Sequence, residues 1–156
     1  MKASYLNMIA MVERLHRQFL EVVRTELDSL GIHDINNVQA LILFNLGEAE
    51  LTVGELTLRG CYLGSNVSYN VKKMVENGYL IQERSAHDRR SVRVRLSAKG
   101  LELCAKLNIM HDRHLVGLAQ MSMHDKTLVD INDMLQQIDR FWTHIVDRGL
   151  PSSRVA

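Results

Sequence analysis

Ile9, Val12, Phe19, Val23, Leu27 and Leu30, with His16 interrupting the series, recur every three or four positions, the spacing of one face of a long amphipathic helix. Gly31 follows the last of them and suits a helix stop, since glycine takes the left-handed backbone without a Cβ clash. A second helix is predicted after Asp34 or Asn36, both competent caps; it carries Val38, Leu41, Ile42 and Leu46 and ends at Gly47. Thr52 and Glu55 have capping-box spacing, each able to satisfy an unpaired amide at the start of a short third helix that ends near Gly60. Gly64-Ser65 opens a fourth helix whose buried side is Val67, Val71, Met74 and Val75, with Gly78 as its stop.

The period then changes from helix to strand. Residues 79–84 read as one strand, and Val92, Val94 and Leu96 alternate with Arg93 and Arg95 as a second, half-buried and cationic outside. The tip between them is Ser85 to Arg90. Ser97 can cap a fifth helix with Leu103, Leu107, Met110, His114 and Leu118 on one side. A sixth, from about Lys126 to Asp147, aligns Leu128, Ile131, Leu135, Ile138, Trp142 and Ile145. The order is four helices, a hairpin and two helices. A short helix, a tight turn, a second helix and a basic hairpin make a winged helix-turn-helix. The fold class is therefore mainly α with a small β-hairpin wing (α+β).

Charge sharpens this picture. The formal net charge is +1, yet residues 59–99 hold nine Lys or Arg against three Asp or Glu, so that window carries +6 and the remainder −5. Within residues 84–96 stand five arginines and one aspartate. Positive charge concentrated on one supersecondary unit is the footprint of a nucleic-acid binder. The reading requires the cations between Arg59 and Lys99 to form one continuous surface, rather than to be engaged with the protein's own acids. On the fourth helix, Ser65, Asn66, Ser68, Tyr69, Asn70, Lys72 and Lys73 lie outside the apolar set. Small and amide side chains near the helix start suit base edges, and the lysines further along suit phosphates. An arginine at a hairpin tip can enter the minor groove, where negative potential is strongest in narrow A·T tracts. Asp88 fits as a brace that fixes a neighbouring guanidinium by a bidentate pair.

Composition bounds the rest. With 156 residues and 46% of them apolar, the chain can bury a core. Cys61 and Cys104 fit a reduced cytoplasmic protein better than a disulfide framework. The apolar stretch Leu6 to Val12 is broken by Glu13 and Arg14, too short for a secretory signal or a membrane span. A glycine-rich phosphate loop, a dense carboxylate or Cys/His cluster and a Gly-x-Ser-x-Gly turn are all missing, which argues against an enzyme. No cofactor is implied.

Leu51-Thr-Val-Gly-Glu-Leu56, the run Gly64 to Leu80, and Asp88-Arg-Arg-Ser-Val-Arg-Val-Arg-Leu-Ser-Ala-Lys-Gly100 resemble the DNA-binding core of the MarR family. The Asp-x-Arg wing followed by Leu-Ser/Thr-x-x-Gly is the most recognisable element. In finer detail the chain is similar to the LdtR-like branch, whose members are linked to control of a cell-wall L,D-transpeptidase gene. The resemblance implies a homodimeric transcription regulator whose affinity for double-stranded DNA is changed by a small ligand, by oxidation or by metal. It places Asn66, Ser68, Tyr69, Lys72 and Lys73 at the major groove, and Arg89 and Arg90 on the wing, braced by Asp88. Arg93, on the cationic face of the wing, joins them. Residues 1–31 are then an N-terminal dimerisation helix, 34–100 the winged unit, 101–148 the C-terminal dimerisation helices and 149–156 a flexible tail. The apolar stripes of the terminal helices point the same way, because two long helices left over from a small domain need a partner surface.

Three effector chemistries compete. A small organic ligand, which in the family lies where the dimer helices meet the winged unit, would be lined by Leu15, His16, Phe19, Leu41, Phe44 and His111. A redox switch would use Cys61, just before the fourth helix, although family members that sense peroxide place that cysteine in the first helix. His111 and His114, with His16, are weaker as metal ligands, since a structural zinc site needs four at tetrahedral geometry. The functional alternative is a winged-helix module that meets protein partners and does not bind DNA.

Overall fold

The computed structural model describes residues 1–60, 64–84 and 92–148, with the side chains of residues 59, 60, 64 and 65 outside that description. The elements are α1 (Lys2–Ser29), α2 (Asn37–Leu46), β1 (Leu51–Thr52), α3 (Val53–Gly60), α4 (Gly64–Glu76), β2 (Leu80–Arg84), β3 (Val92–Leu96), α5 (Ala98–Gln120) and α6 (Asp125–Arg148). The expected hairpin tip, with Asp88, Arg89 and Arg90, lies outside the described residues, as do Cys61 and the tail 149–156.

Residues 1–111 form one compact unit. Its core is a single cluster to which α1 contributes Val23 and Leu27, and α2 contributes Ala40, Ile42, Leu43 and Leu46. Leu56 of α3, then Val67, Val71 and Met74 of α4, continue it. Val94 and Leu96 of β3, Leu103, Leu107 and Met110 of α5, and Ile35, Tyr79 and Leu80 complete it. In α4, β3 and α5 these are positions that the helical and alternating periods select, with Val75 only partly buried. In α2, Ala40 and Leu43 are buried where the expected Val38 and Leu41 are only partly so, and of the α1 stripe only Val23 and Leu27 reach the core.

The helix ends follow local chemistry. Asn36, rather than Asp34, is the N-cap of α2: its side chain accepts from the Gln39 amide at 2.9 Å, and Gln39 Oε1 accepts from the Asn36 amide at 3.1 Å. Thr52 and Glu55 cap α3 reciprocally, with bonds of 3.1 and 2.7 Å. Gly78 adopts φ +77°, and the Gly78 and Tyr79 amides reach back to the Val75 and Met74 carbonyls at 3.0 and 2.8 Å, the double bond that ends a helix at a left-handed residue.

The sheet has three antiparallel strands in the order β1-β3-β2, where sequence reading gives two. Leu51 faces Val94 and Thr52 faces Arg93, while Leu80 faces Leu96 and Arg84 faces Val92. A strand of two residues is too short to display an alternation, which is why β1 is invisible in the pattern. α1 also begins at Lys2, well before the first member of its stripe.

The described residues from Asp112 onward form a second unit. The turn into α6 passes through Ser122 at φ +61°, and the Met123 amide closes it on the Leu118 carbonyl at 3.0 Å. No residue of α6 is buried: Ile131 and Leu135 of its apolar side, with Val129, Met134, Phe141 and Val146, are exposed. In the first unit α1 has the same character, with Tyr5, Leu6, Met11, Leu15, Phe19 and Val22 exposed. Among the described residues no helix is long and apolar enough to cross a membrane.

Candidate nucleic-acid interface

Burial of Val67, Val71 and Met74 fixes how α4 is rotated. The opposite side then presents Asn66, Ser68, Tyr69 and Lys72, all exposed, with Lys73 half-buried. Tyr69 keeps 63% of its surface accessible, which no packing requirement explains for so large a ring. These sequence-selected residues therefore share one outward surface. Ser65 lies in α4, but its side chain is outside the described residues.

Asn70 is different. Its Oδ1 accepts from Gln39 Nε2 at 3.1 Å and its Nδ2 donates to the Asn66 carbonyl at 2.9 Å, so both ends of the amide are used within the fold. Among the described residues Gln39 is the buried polar one, at 6% exposure. Sequence reading missed it, because a glutamine inside a helix carries no signature of the partner it will find.

The cations are less uniform than the charge count suggests. Lys73 Nζ lies 2.8 Å from Glu76 and Lys72 Nζ 4.0 Å from the same carboxylate. The Lys73 ammonium bond holds the Glu76 carboxyl below its usual pKa, and Glu76 in turn holds Lys73 above its own. On the sheet, Arg95 pairs with Glu83 at 2.7 Å, and Arg93 donates to the Glu50 carbonyl at 3.4 Å. Lys99 pairs with Asp34. The expectation of one continuous surface clear of the protein's own acids is thus corrected. Arg95 is committed to a cross-strand partner and Lys99 to an aspartate 65 positions away in the chain, while Lys72 and Lys73 share one acid at i, i+4 and i, i+3.

The Leu96-Ser97-x-x-Gly100 motif acquires a physical reason. Leu96 is buried, and the Ser97 amide donates to the Tyr79 carbonyl at 3.0 Å. Ser97 Oγ accepts the Gly100 amide at 3.0 Å, capping α5. Its hydroxyl sits 2.6 Å from the Gly78 carbonyl and 3.0 Å from that of Tyr79. A Cβ on Gly100 would stand 2.4 Å from the Tyr79 carbonyl oxygen. The motif is the weld between the end of the wing and the stop of α4.

Of the expected effector residues, three meet. The His111 ring stacks on Phe19 of α1 at 6.2 Å and meets Phe44 of α2 edge-on at 4.8 Å. Leu41 is half-buried, whereas Leu15 and His16 are exposed on α1. Among the described residues no group of His, Cys, Asp and Glu is arranged to hold a metal. Burial raises the pKa of the Cys104 thiol.

A family model described as the MarR family matches residues 33–91. The exopolysaccharide II synthesis transcriptional activator ExpG of Rhizobium meliloti is 36% identical over 147 residues, covering 94% of this chain and 76% of its own. Among solved structures, Streptococcus pneumoniae FabT in complex with DNA superposes with a TM-score of 0.70 at 18% identity, over 90% of this chain and 99% of that one. The S. aureus MepR–DNA complex gives 0.69 at 16% identity, over 85% of this chain and 96% of its own.

Proposed function

This chain belongs to the MarR family of winged-helix transcription regulators, and from that premise we propose that it is a ligand-responsive homodimer that binds an inverted repeat in duplex DNA through α4 and the arginine-rich segment 84–96. The observation that carries the reading is the outward surface of α4, where Asn66, Ser68, Tyr69, Lys72 and Lys73 stand opposite a fully buried apolar side. A helix so presented fits the major groove, amides and hydroxyls reaching base edges and lysines reaching phosphates. Arg89 and Arg90, braced by Asp88, and Arg93 would serve the adjoining groove and backbone.

Dimerisation is supported by the exposed apolar residues of α1 and α6, which a second copy would cover. A two-fold pair reads half-sites about 10 bp apart. The presence of DNA in the FabT and MepR structures supports the same use of the fold here. The proposed effector is a small, partly apolar organic molecule, received near Phe19, Phe44 and His111 with Leu15, His16 and Leu41 around them. It shifts DNA binding only by its differential affinity for two dimer states.

A mobility-shift titration with random duplex at low and high salt tests the reading. Binding that weakens steeply with salt supports phosphate contacts. No shift at low salt sinks it in favour of a protein-interaction module. Arg90→Ala is expected to weaken binding by about 1–3 kcal/mol with the fold unchanged.

A further inference from the structure

Two hydrogen-bonded tethers reach α4 from one short segment, residues 34–39. The first starts at Gln39, whose Oε1 is held by the Asn36 amide and whose Nε2 is thereby aimed at Asn70 Oδ1, 3.1 Å away in the first half of α4. Asn70 passes the constraint to the Asn66 carbonyl at 2.9 Å. The second starts at Asp34. Its carbonyl accepts Asn77 Nδ2 just past the end of α4, and its carboxylate accepts the Tyr79 hydroxyl at 2.7 Å and the Lys99 ammonium. Lys99 Nζ also donates to the Asn77 carbonyl at 2.9 Å and lies 4.1 Å from the centre of the Tyr79 ring. Both tethers therefore originate in residues 34–39, the end of the α1–α2 connection and the first turn of α2.

We propose that this segment is a two-point positioning device for the recognition helix, with Gln39 setting the first half of α4 through Asn70 and Asp34 setting its C-terminal end through Asn77 and Tyr79. The proposal rests on the DNA-binding reading above and extends it to residues that touch no DNA. Apolar packing of Val67, Val71 and Met74 sets which side of α4 faces the core, but it restrains small slides and rotations less sharply than directional bonds do, because dispersion contacts have no direction. Hydrogen bonds at both ends supply the direction. A base-edge contact fails when a donor is displaced by a fraction of its bond length, whereas attraction to phosphates tolerates such displacement. Loosening a tether should therefore weaken sequence-selective binding and leave general DNA affinity in place. Because Asn37 of the same segment donates to the Leu20 carbonyl of α1 at 2.9 Å, a movement of α1 would reach α4 along the same bonds.

The test uses the full chain and two probes: duplexes that the wild-type protein selects from a random pool, and the random pool itself. Gln39→Met and Asp34→Ala are each expected to lose on the order of tenfold in affinity for the selected duplex, the size of one forfeited base contact. Affinity for the random pool and the salt slope should stay at wild-type values, a split that a merely structural role would not produce. If Gln39→Met does not fold, Asn70→Ala reads the same tether from the other side. If both fold, the combined variant should lose no more than either alone. A full, additive loss from Asn70→Ala in the Gln39→Met background would mean that Asn70 meets the DNA directly and would overturn the first tether. Variants that match wild type, or that lose both probes in proportion, overturn the positioning role while leaving DNA binding intact. A wild-type chain that binds neither probe overturns both.

Discussion

Replacing Gly100 with alanine sets two effects of opposite sign against each other. Gly100 sits in the first turn of α5 and its φ is not positive, so alanine can adopt its backbone conformation. On propensity alone the change should stabilise the protein by about 0.4–1 kcal/mol, through a less flexible unfolded chain. The added Cβ, however, would stand 2.4 Å from the Tyr79 carbonyl oxygen and 3.2 Å from Leu96 Cδ2. An ordinary carbon–oxygen contact is about 3.3 Å, so something must move by roughly 1 Å. Tyr79 is poorly placed to yield: its carbonyl accepts the Ser97 amide, its own amide bonds the Met74 carbonyl, and its hydroxyl bonds Asp34. Moving the start of α5 instead endangers the Ser97–Tyr79 bond and the Ser97 cap, at about 1 kcal/mol each. Overpacking adds about 1–3 kcal/mol before relaxation. The steric term wins, and the net expectation is a loss of about 1–3 kcal/mol. Urea unfolding at fixed protein concentration reads it as a midpoint lowered by about 1 M at unchanged slope. Gly54→Ala is the control, since its Cβ would meet only Thr52 Oγ1, at 3.9 Å. It should be neutral or slightly stabilising. A Gly100→Ala protein as stable as wild type would refute the weld between α5 and the stop of α4.

Three further expectations follow from the same contacts. The Lys99 ammonium, and after it the Tyr79 hydroxyl, hold the Asp34 carboxyl below its usual pKa. Its contribution to stability is therefore present above about pH 4 and is lost as the pH falls through its folded value. Burial, and then the bond to Asp34, raise the Tyr79 pKa, so its contribution is present below about pH 10 and is lost as the pH climbs beyond. Asp34→Asn should flatten the acid limb of an unfolding titration and Tyr79→Phe the alkaline limb; limbs parallel to wild type would contradict this. Cys104, half-buried with a raised pKa, should react slowly with a thiol reagent in a folded Cys61→Ser chain, and a fast phase at neutral pH would count against its placement. Glu76→Gln releases Lys72 and Lys73 from a shared acid and should raise DNA affinity at low salt by on the order of twofold, with unchanged affinity as the result that argues against α4 facing DNA.

Wherever one residue type answers a local need, the structure was legible beforehand. Gly31, Gly47 and Gly78 all take positive φ, the Thr52–Glu55 box forms, and Val67, Val71 and Met74 are buried as their spacing requires. Legibility stops where a residue has several possible partners far away in the chain. Asp34 and Asn36 are equally good caps on paper. Asn36 caps α2 because Asp34 is taken by Tyr79 and Lys99, 45 and 65 positions onward. Asn70 counted as a surface residue of α4 until Gln39 claimed it from α2. Two residues of β1 could not show a period, and the pairing of Arg95 with Glu83 depends on strand register, which the tip residues alone do not determine.

The paired cations also bear on how such a surface works. Exposed ion pairs are weak because water already solvates both partners and salt screens what remains. Lys72 and Lys73 hold Glu76 with most or much of their side chains still in water, at 76% and 43% exposure. A phosphate that displaces Glu76 also releases a condensed counterion, so the exchange gains entropy that the internal pair cannot match. The acid therefore does not block the lysines; it lowers the charge that α4 presents to duplex of any sequence. Lys99 differs in kind. Its ammonium is bound at once to the Asp34 carboxylate, the Asn77 carbonyl and the Tyr79 ring, and drawing it toward a phosphate would undo the end of α4. Charge in the winged unit thus divides by the number of local partners. On the proposed reading, the singly paired Lys72 and Lys73 on the open side of α4 would exchange Glu76 for DNA phosphates, and the multiply bonded Lys99 would keep that side in place.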